Sequence, residues 1–124
     1  MSLEKDKAMV RKVNEALNKR DLSGLDEFMA EDYVDHTNQL HGLEDVRRWY
    51  ARIFKDFSAY HRTIEDMVAE GDKVWVRFRT TGTSAASGKK IDLITVSMLR
   101  MVNGKAVEGQ TVPKVAGEFY KKLL

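Results

Sequence analysis

Glu70-Gly71-Asp72-Lys73-Val74-Trp75-Val76-Arg77-Phe78-Arg79, continuing through Gly82–Gly88 and Ile91–Leu99 to Asn103-Gly104 and Glu108, reads as two consecutive β-hairpins. Glu70-Gly71-Asp72 opens the first turn. Asn103-Gly104 makes the last one, a strong short hairpin signal because both central residues of that turn need positive φ. Between the turns the residues alternate. Val74, Val76, Phe78 and Thr80 share one side of a strand, and Trp75, Arg77, Arg79 and Thr81 share the other.

Outward from this segment, the N-terminal half is helical. A first helix is expected over Leu3–Lys19, with Met9, Val10, Val13, Ala16 and Leu17 as its apolar stripe and Glu15 four residues before Lys19. A short second helix follows Asp21 or Ser23 and carries Leu25, Phe28 and Met29, with Ser23 and Asp26 as a capping box. Tyr33 to Thr37 is expected to be a short strand. A third helix follows Gly42, its inward face marked by Leu43, Val46, Trp49, Tyr50, Ile53, Phe54 and Phe57, with Glu44 and Arg48 paired across an exposed turn. Four strands come next, at about Ala59–Ala69, Val74–Thr83, Lys90–Val102 and Lys105–Val112. A final helix is expected over about Val115–Leu124. Helices first and a meander after them mean an α+β fold, a curved antiparallel or mixed sheet wrapped on helices to form a cone with an internal pocket.

The third strand of that set is apolar on both sides. Ile91, Leu93, Thr95, Ser97, Leu99 and Met101 form one face; Asp92, Ile94, Val96, Met98 and Arg100 form the other. One face packs on the helices. The other, with Trp75, would remain as an exposed patch, and such patches mark interfaces. The expectation is a homodimer through the outer sheet face (Trp75, Ile94, Val96, Met98). The alternative is a monomer whose last helix covers that face.

The chain has 124 residues, enough for one domain, 1–124, with a real core. Lys and Arg number 21 against 19 Asp and Glu, a net charge of +2, so nothing clusters as a nucleic-acid footprint. There is no Cys, which excludes disulfides and thiolate chemistry. No apolar run approaches the roughly 18 residues of a membrane span, and the charged N-terminus lacks a signal-peptide core. A cytoplasmic protein without membrane contact is the expectation.

Asp32-Tyr33-Val34-Asp35-His36-Thr37, Gly42-Leu43-Glu44, Ile64 through Val74 with Gly82-Thr83, and Asn103-Gly104-Lys105-Ala106-Val107-Glu108 resemble the SnoaL-like polyketide cyclase family, within the nuclear transport factor 2 superfamily. The resemblance covers nearly the whole chain. It implies the cone fold, sheet-on-sheet dimers, and a cofactor-free intramolecular aldol closure, in which a base removes a proton next to a carbonyl and a donor holds the enolate oxygen.

The resemblance also points to His36 as the catalytic group, since it matches the His that follows Asp in the family's first strand. If Val34 points into the core, His36 faces the pocket and Asp35 faces away as a solvated or capping carboxylate. A core-edge histidine bonded to backbone is the competing reading. Ser97 stands where such cyclases often carry His or Asp, and Gly109-Gln110-Thr111-Val112 occupies the stretch where an acid is expected. The acid–base pair is therefore not evident. Trp49, Tyr50, Phe78, Thr95, Ser97, Gln110 and Thr111 are the candidate substrate-binding residues. The inward face of the last strand, and the placement of Arg62 and Asp66, stay open. His41 is expected in a loop and His61 at the surface. The three histidines match no compact ligand spacing, so no metal is expected.

Three functions remain. One is a cyclase, isomerase or hydrolase acting on an apolar carbonyl compound. Another is a module that binds a small apolar metabolite without turnover. The last is a dimeric interaction domain with a filled interior.

Overall fold

A computed structural model describes residues 3–113. The helix expected at 115–124 lies outside the described residues, and so does the alternative in which it covers the sheet. The elements are α1 (Leu3–Asn18), α2 (Leu25–Phe28), β1 (Met29–Asp35), β2 (Leu40–His41), α3 (Leu43–Asp56), β3 (Phe57–Glu70), β4 (Lys73–Ser84), β5 (Lys90–Val102) and β6 (Lys105–Val112). The strands form one open sheet in the order β2-β1-β6-β5-β4-β3. β1 runs parallel to β6 and every other pairing is antiparallel, so the sheet is mixed.

The strand alternation seen in the sequence sets the two faces. Val74, Val76, Phe78 and Thr80 are buried, while Trp75, Arg77 and Arg79 are exposed. On β5, Ile91, Thr95 and Met101 are buried and Asp92 and Ile94 are exposed. Asn103 (φ 52°) and Gly104 (φ 81°) adopt the left-handed backbone that their hairpin turn requires. Along α1, Val10, Val13 and Leu17 are buried against the sheet. Val10 and Val13 join Leu25, Phe28, Val46, Val74, Val76 and Phe78 in the main core.

Local expectations differ at four points. β1 starts at Met29, well before Tyr33, and ends at Asp35. It ends there because the Asp35 carboxylate accepts the backbone N–H groups of Thr37 and Asn38, which turns the chain out of the strand. His41 sits in the two-residue strand β2, opposite Val34, and not in a loop. The expected capping box at Ser23 does not form: Gly24 is the N-cap residue, and Ser23 donates to Asp21 from both its N–H and its hydroxyl. On α3, Glu44 pairs with Arg47, while Arg48 pairs with Asp45.

β3 is the sheet edge opposite β2, and its pairing with β4 shifts register twice, between Ser58 and His61 and between Ile64 and Asp66. Such irregularities bend a strand and increase its twist. α1 lies across this edge. The Asn18 side chain accepts the Arg62 N–H (2.8 Å), and the Asn14 and Asn18 amides both donate to the Arg62 carbonyl (2.8 and 2.9 Å). The helix thereby satisfies edge groups that would otherwise lack partners.

Candidate functional site

A cavity of about 140 Å³ opens between the sheet's inner face and α3. Its apolar wall includes Trp49, Ile53, Phe57, Ile91 and Leu93, and its polar wall includes Tyr33, Asp35, Tyr50, Arg62, Thr95, Ser97 and Thr111. A smaller chamber of about 70 Å³ lies deeper, against Val10, Val13, Leu17, Phe28, Phe78 and Leu99. Both chambers share Tyr33, Asp35, Tyr50, Arg62, Ser97 and Thr111. The polar groups therefore form a band with greasy space on either side.

Tyr33 and Asp35 reach this band because they are two apart on β1 and share its inner face. Tyr33 is buried. Its hydroxyl fits only because Gly109 of β6 carries no side chain; a methyl there would overlap the phenol oxygen. Burial, and next the carboxylate of Asp35, push the Tyr33 phenol far above its ordinary range, so it is a neutral O–H. Asp35 is fixed by three donors: the N–H groups of Thr37 and Asn38, and the Asn38 amide at 3.2 Å. The Tyr60 phenol is pushed up to about 12, mainly by burial. Ser97 and Thr111 hydroxyls lie 2.8 Å apart across β5 and β6. The Thr37 hydroxyl accepts the Thr111 N–H at 2.8 Å, tying the turn after β1 to β6.

Arg62 is the cation of the band. Its Nε donates to Asn14 Oδ1 (2.8 Å), and its guanidinium lies 4.0 Å from the ring centre of Phe78. Nη1 makes a long contact with the Tyr50 hydroxyl, 3.4 Å. Burial works against its charge, but Tyr50 and Tyr60 more than offset that and hold its pKa above the ordinary value.

His36 is elsewhere. It follows β1 on the opposite side from Asp35, with 46% of its side chain exposed, and lines neither chamber. Its Nε2 lies 2.8 Å from Glu108 Oε2, and Glu108 also accepts from Arg100 on the outer face. The orientation expected from Val34 is thus reversed, because Tyr33, and not Val34, is the inward residue of β1. Trp49, Tyr50, Thr95, Ser97 and Thr111 line the main chamber; Phe78 lines the smaller one. Gln110 is exposed, opposite Met98 on the outer face, and only borders the smaller chamber. On the last strand Thr111 faces inward. Asp66 and His61 are exposed.

Sequence reasoning passed over Tyr33, left the placement of Arg62 open and gave Asp35 an outward role. Two signals were present. Tyr33-x-Asp35 has strand spacing, and Asn14 interrupts the apolar stripe of α1 at a buried position. Among the described residues, no three His, Cys, Asp or Glu side chains cluster as a metal site.

The family model for the SnoaL-like domain matches residues 10–109. The chain belongs to the SnoaL-like domain family. Solved structures agree with the fold. TsrD from Streptomyces laurentii superposes with a TM-score of 0.83 at 19% identity, over 90% of this chain and 89% of that one. AclR from Streptomyces galilaeus, a proposed hydroxylase, gives 0.78 at 26% identity, over 90% and 79%. IdmH from Streptomyces antibioticus, a proposed polyketide cyclase, gives 0.75 at 24% identity, over 86% and 90%. No curated protein sequence matches the chain. Within this SnoaL-like domain the inward carboxylate is Asp35, and the imidazole after it belongs to the outer surface. No helix among the described residues is long and apolar enough to cross a membrane.

Proposed function

We propose that this SnoaL-like domain is a cofactor-free enzyme that removes a proton next to a carbonyl in a small, largely apolar compound, as a cyclase or isomerase does. The observation that supports this most is the meeting of one carboxylate, Asp35, with a neutral phenol, Tyr33, and a cation, Arg62, around one cavity. Asp35 takes the proton. Tyr33 and Arg62 receive the negative charge that then develops on the carbonyl oxygen, from positions fixed before the reaction starts. The apolar walls keep water from competing for that charge.

The test is proton exchange in heavy water, followed by NMR at the carbon beside the carbonyl of arylacetones such as phenylacetone. Wild type accelerates the exchange, and Asp35→Asn lowers the rate by about a hundredfold or more while remaining folded. No acceleration by wild type, or equal rates for the variant, ends this reading.

A second reading, a binding module without turnover, is favoured by the engagement of both Asp35 oxygens in the turn after β1. It predicts that wild type and Asp35→Asn both bind ligand, with no exchange in either. We also propose that two copies associate through the outer face of the sheet.

A further inference from the structure

We propose that Arg62 makes the cavity a receptor for an organic oxyanion, a carboxylate or an ionised enol, carried on a body about the size of one aromatic ring. The inference rests on the reading of the cavity as a small-molecule site, and it names the class of molecule that fits there.

Among the described residues, no Asp or Glu lies within ion-pair distance of Arg62, although the other arginines that line strand faces, Arg77, Arg79 and Arg100, each have one. Its partners are all neutral: an asparagine oxygen, a phenol and a benzene ring. A guanidinium drawn partly out of water without a counter-charge beside it is costly. The fold nevertheless fastens this one on every side but one. Asn14 and Asn18 hold its backbone, Asn14 holds Nε, and Phe78 covers one face. What remains is the Nη edge. Nη1 has only the long contact to Tyr50, and Nη2 has no hydrogen bond to any described residue. That edge is the fork which matches a planar oxyanion with two parallel N–H···O bonds. The guanidinium lines both chambers, so an anion seated on it would lie in the polar band, beside the Tyr33 and Tyr50 hydroxyls. Size follows from volume: a cavity of about 150 Å³ holds one benzene ring, and the main chamber measures about 140 Å³.

Benzoate is the probe, benzamide its neutral counterpart of the same shape, and benzoylacetone the ionisable 1,3-dicarbonyl. Binding is read by titration calorimetry on the whole chain. Benzoate is expected to bind wild type about tenfold to a hundredfold more tightly than benzamide, the size of one charge-assisted contact. Arg62→Met removes that preference. Arg62→Lys keeps a charge without the fork, so it still prefers benzoate but binds it about tenfold less tightly; this variant carries the test if Arg62→Met does not fold. Asp35→Asn tightens benzoate binding, because a like charge leaves the cavity. Ionised benzoylacetone binding alongside benzoate shows a site for delocalised oxyanions in general; benzoate alone shows a carboxylate site. Equal affinity for benzoate and benzamide, or benzoate binding undiminished in Arg62→Lys, overturns the proposal. Failure of the proton-transfer reading looks different: exchange is absent while benzoate binding stays intact.

Discussion

At Gly109 the missing side chain makes room for the Tyr33 hydroxyl. The two residues meet where β1 runs parallel to β6, with Asp35 directly opposite Gly109. Gly109→Ala therefore drives a methyl into a buried phenol. Overpacking of this kind costs about 1–3 kcal/mol, to be measured by urea unfolding. Tyr33→Phe removes the oxygen that the methyl meets, so the double variant recovers part of the loss. A cycle with no coupling between the two sites contradicts the placement of Tyr33. His36, by contrast, projects to the outer face, and its substitution by Ala leaves benzoate binding unchanged.

Two elements carry the burden of holding the site. α1 acts as a clamp on the sheet edge: Asn18 accepts the Arg62 N–H, which faces away from β4. Asn18→Ala leaves that N–H without its partner at a part-buried position and costs about 1–3 kcal/mol. Unchanged stability in that variant shows that the edge is held by other contacts. The β1–β6 junction has a charge device on its outer side, where Glu108 joins His36 and Arg100. The hydrogen bond from His36, and next that from Arg100, hold the Glu108 carboxyl below the usual carboxylate range. Its folded pKa is thus depressed, so its stabilising contribution is present above the unfolded value of about 4.3 and is lost as pH falls through the folded value. Denaturation curves for Glu108→Gln flatten along that acid limb, while wild type keeps its slope. Identical slopes dispose of the linkage.

At the scale of the whole molecule, the outer sheet face presents an apolar strip. Trp75 and Ile94 are 46% and 48% exposed, with Val96 and Met98 half-buried beside them. Charges border this apolar strip, including the Arg79–Asp92 pair with contacts of 2.8 and 2.6 Å. An apolar centre with a charged border is the anatomy of a protein interface. The proposed dimer has a direct measurement: light scattering reports twice the chain mass for wild type and a single chain for Ile94→Arg. A monomeric wild type removes the proposal.

Much of this architecture could be read along the chain. The alternation of β4 and β5 and the Asn103-Gly104 turn are local, because the side-chain period of a strand and the φ demands of a tight turn act within a few residues. The site was less legible. Whether Asp35 or His36 faces inward depends on the phase of β1, and that phase is set across the sheet: between Met29 and Val34 the strand advances five residues while β6 advances two. Arg62 becomes a fixed cation only because Asn14 and Asn18, more than forty residues earlier, are brought against the edge of β3. Strand spacing and turn chemistry thus determined the elements and the two faces. The partners that decide which polar groups enter the cavity lie far apart in sequence, and packing alone brings them together.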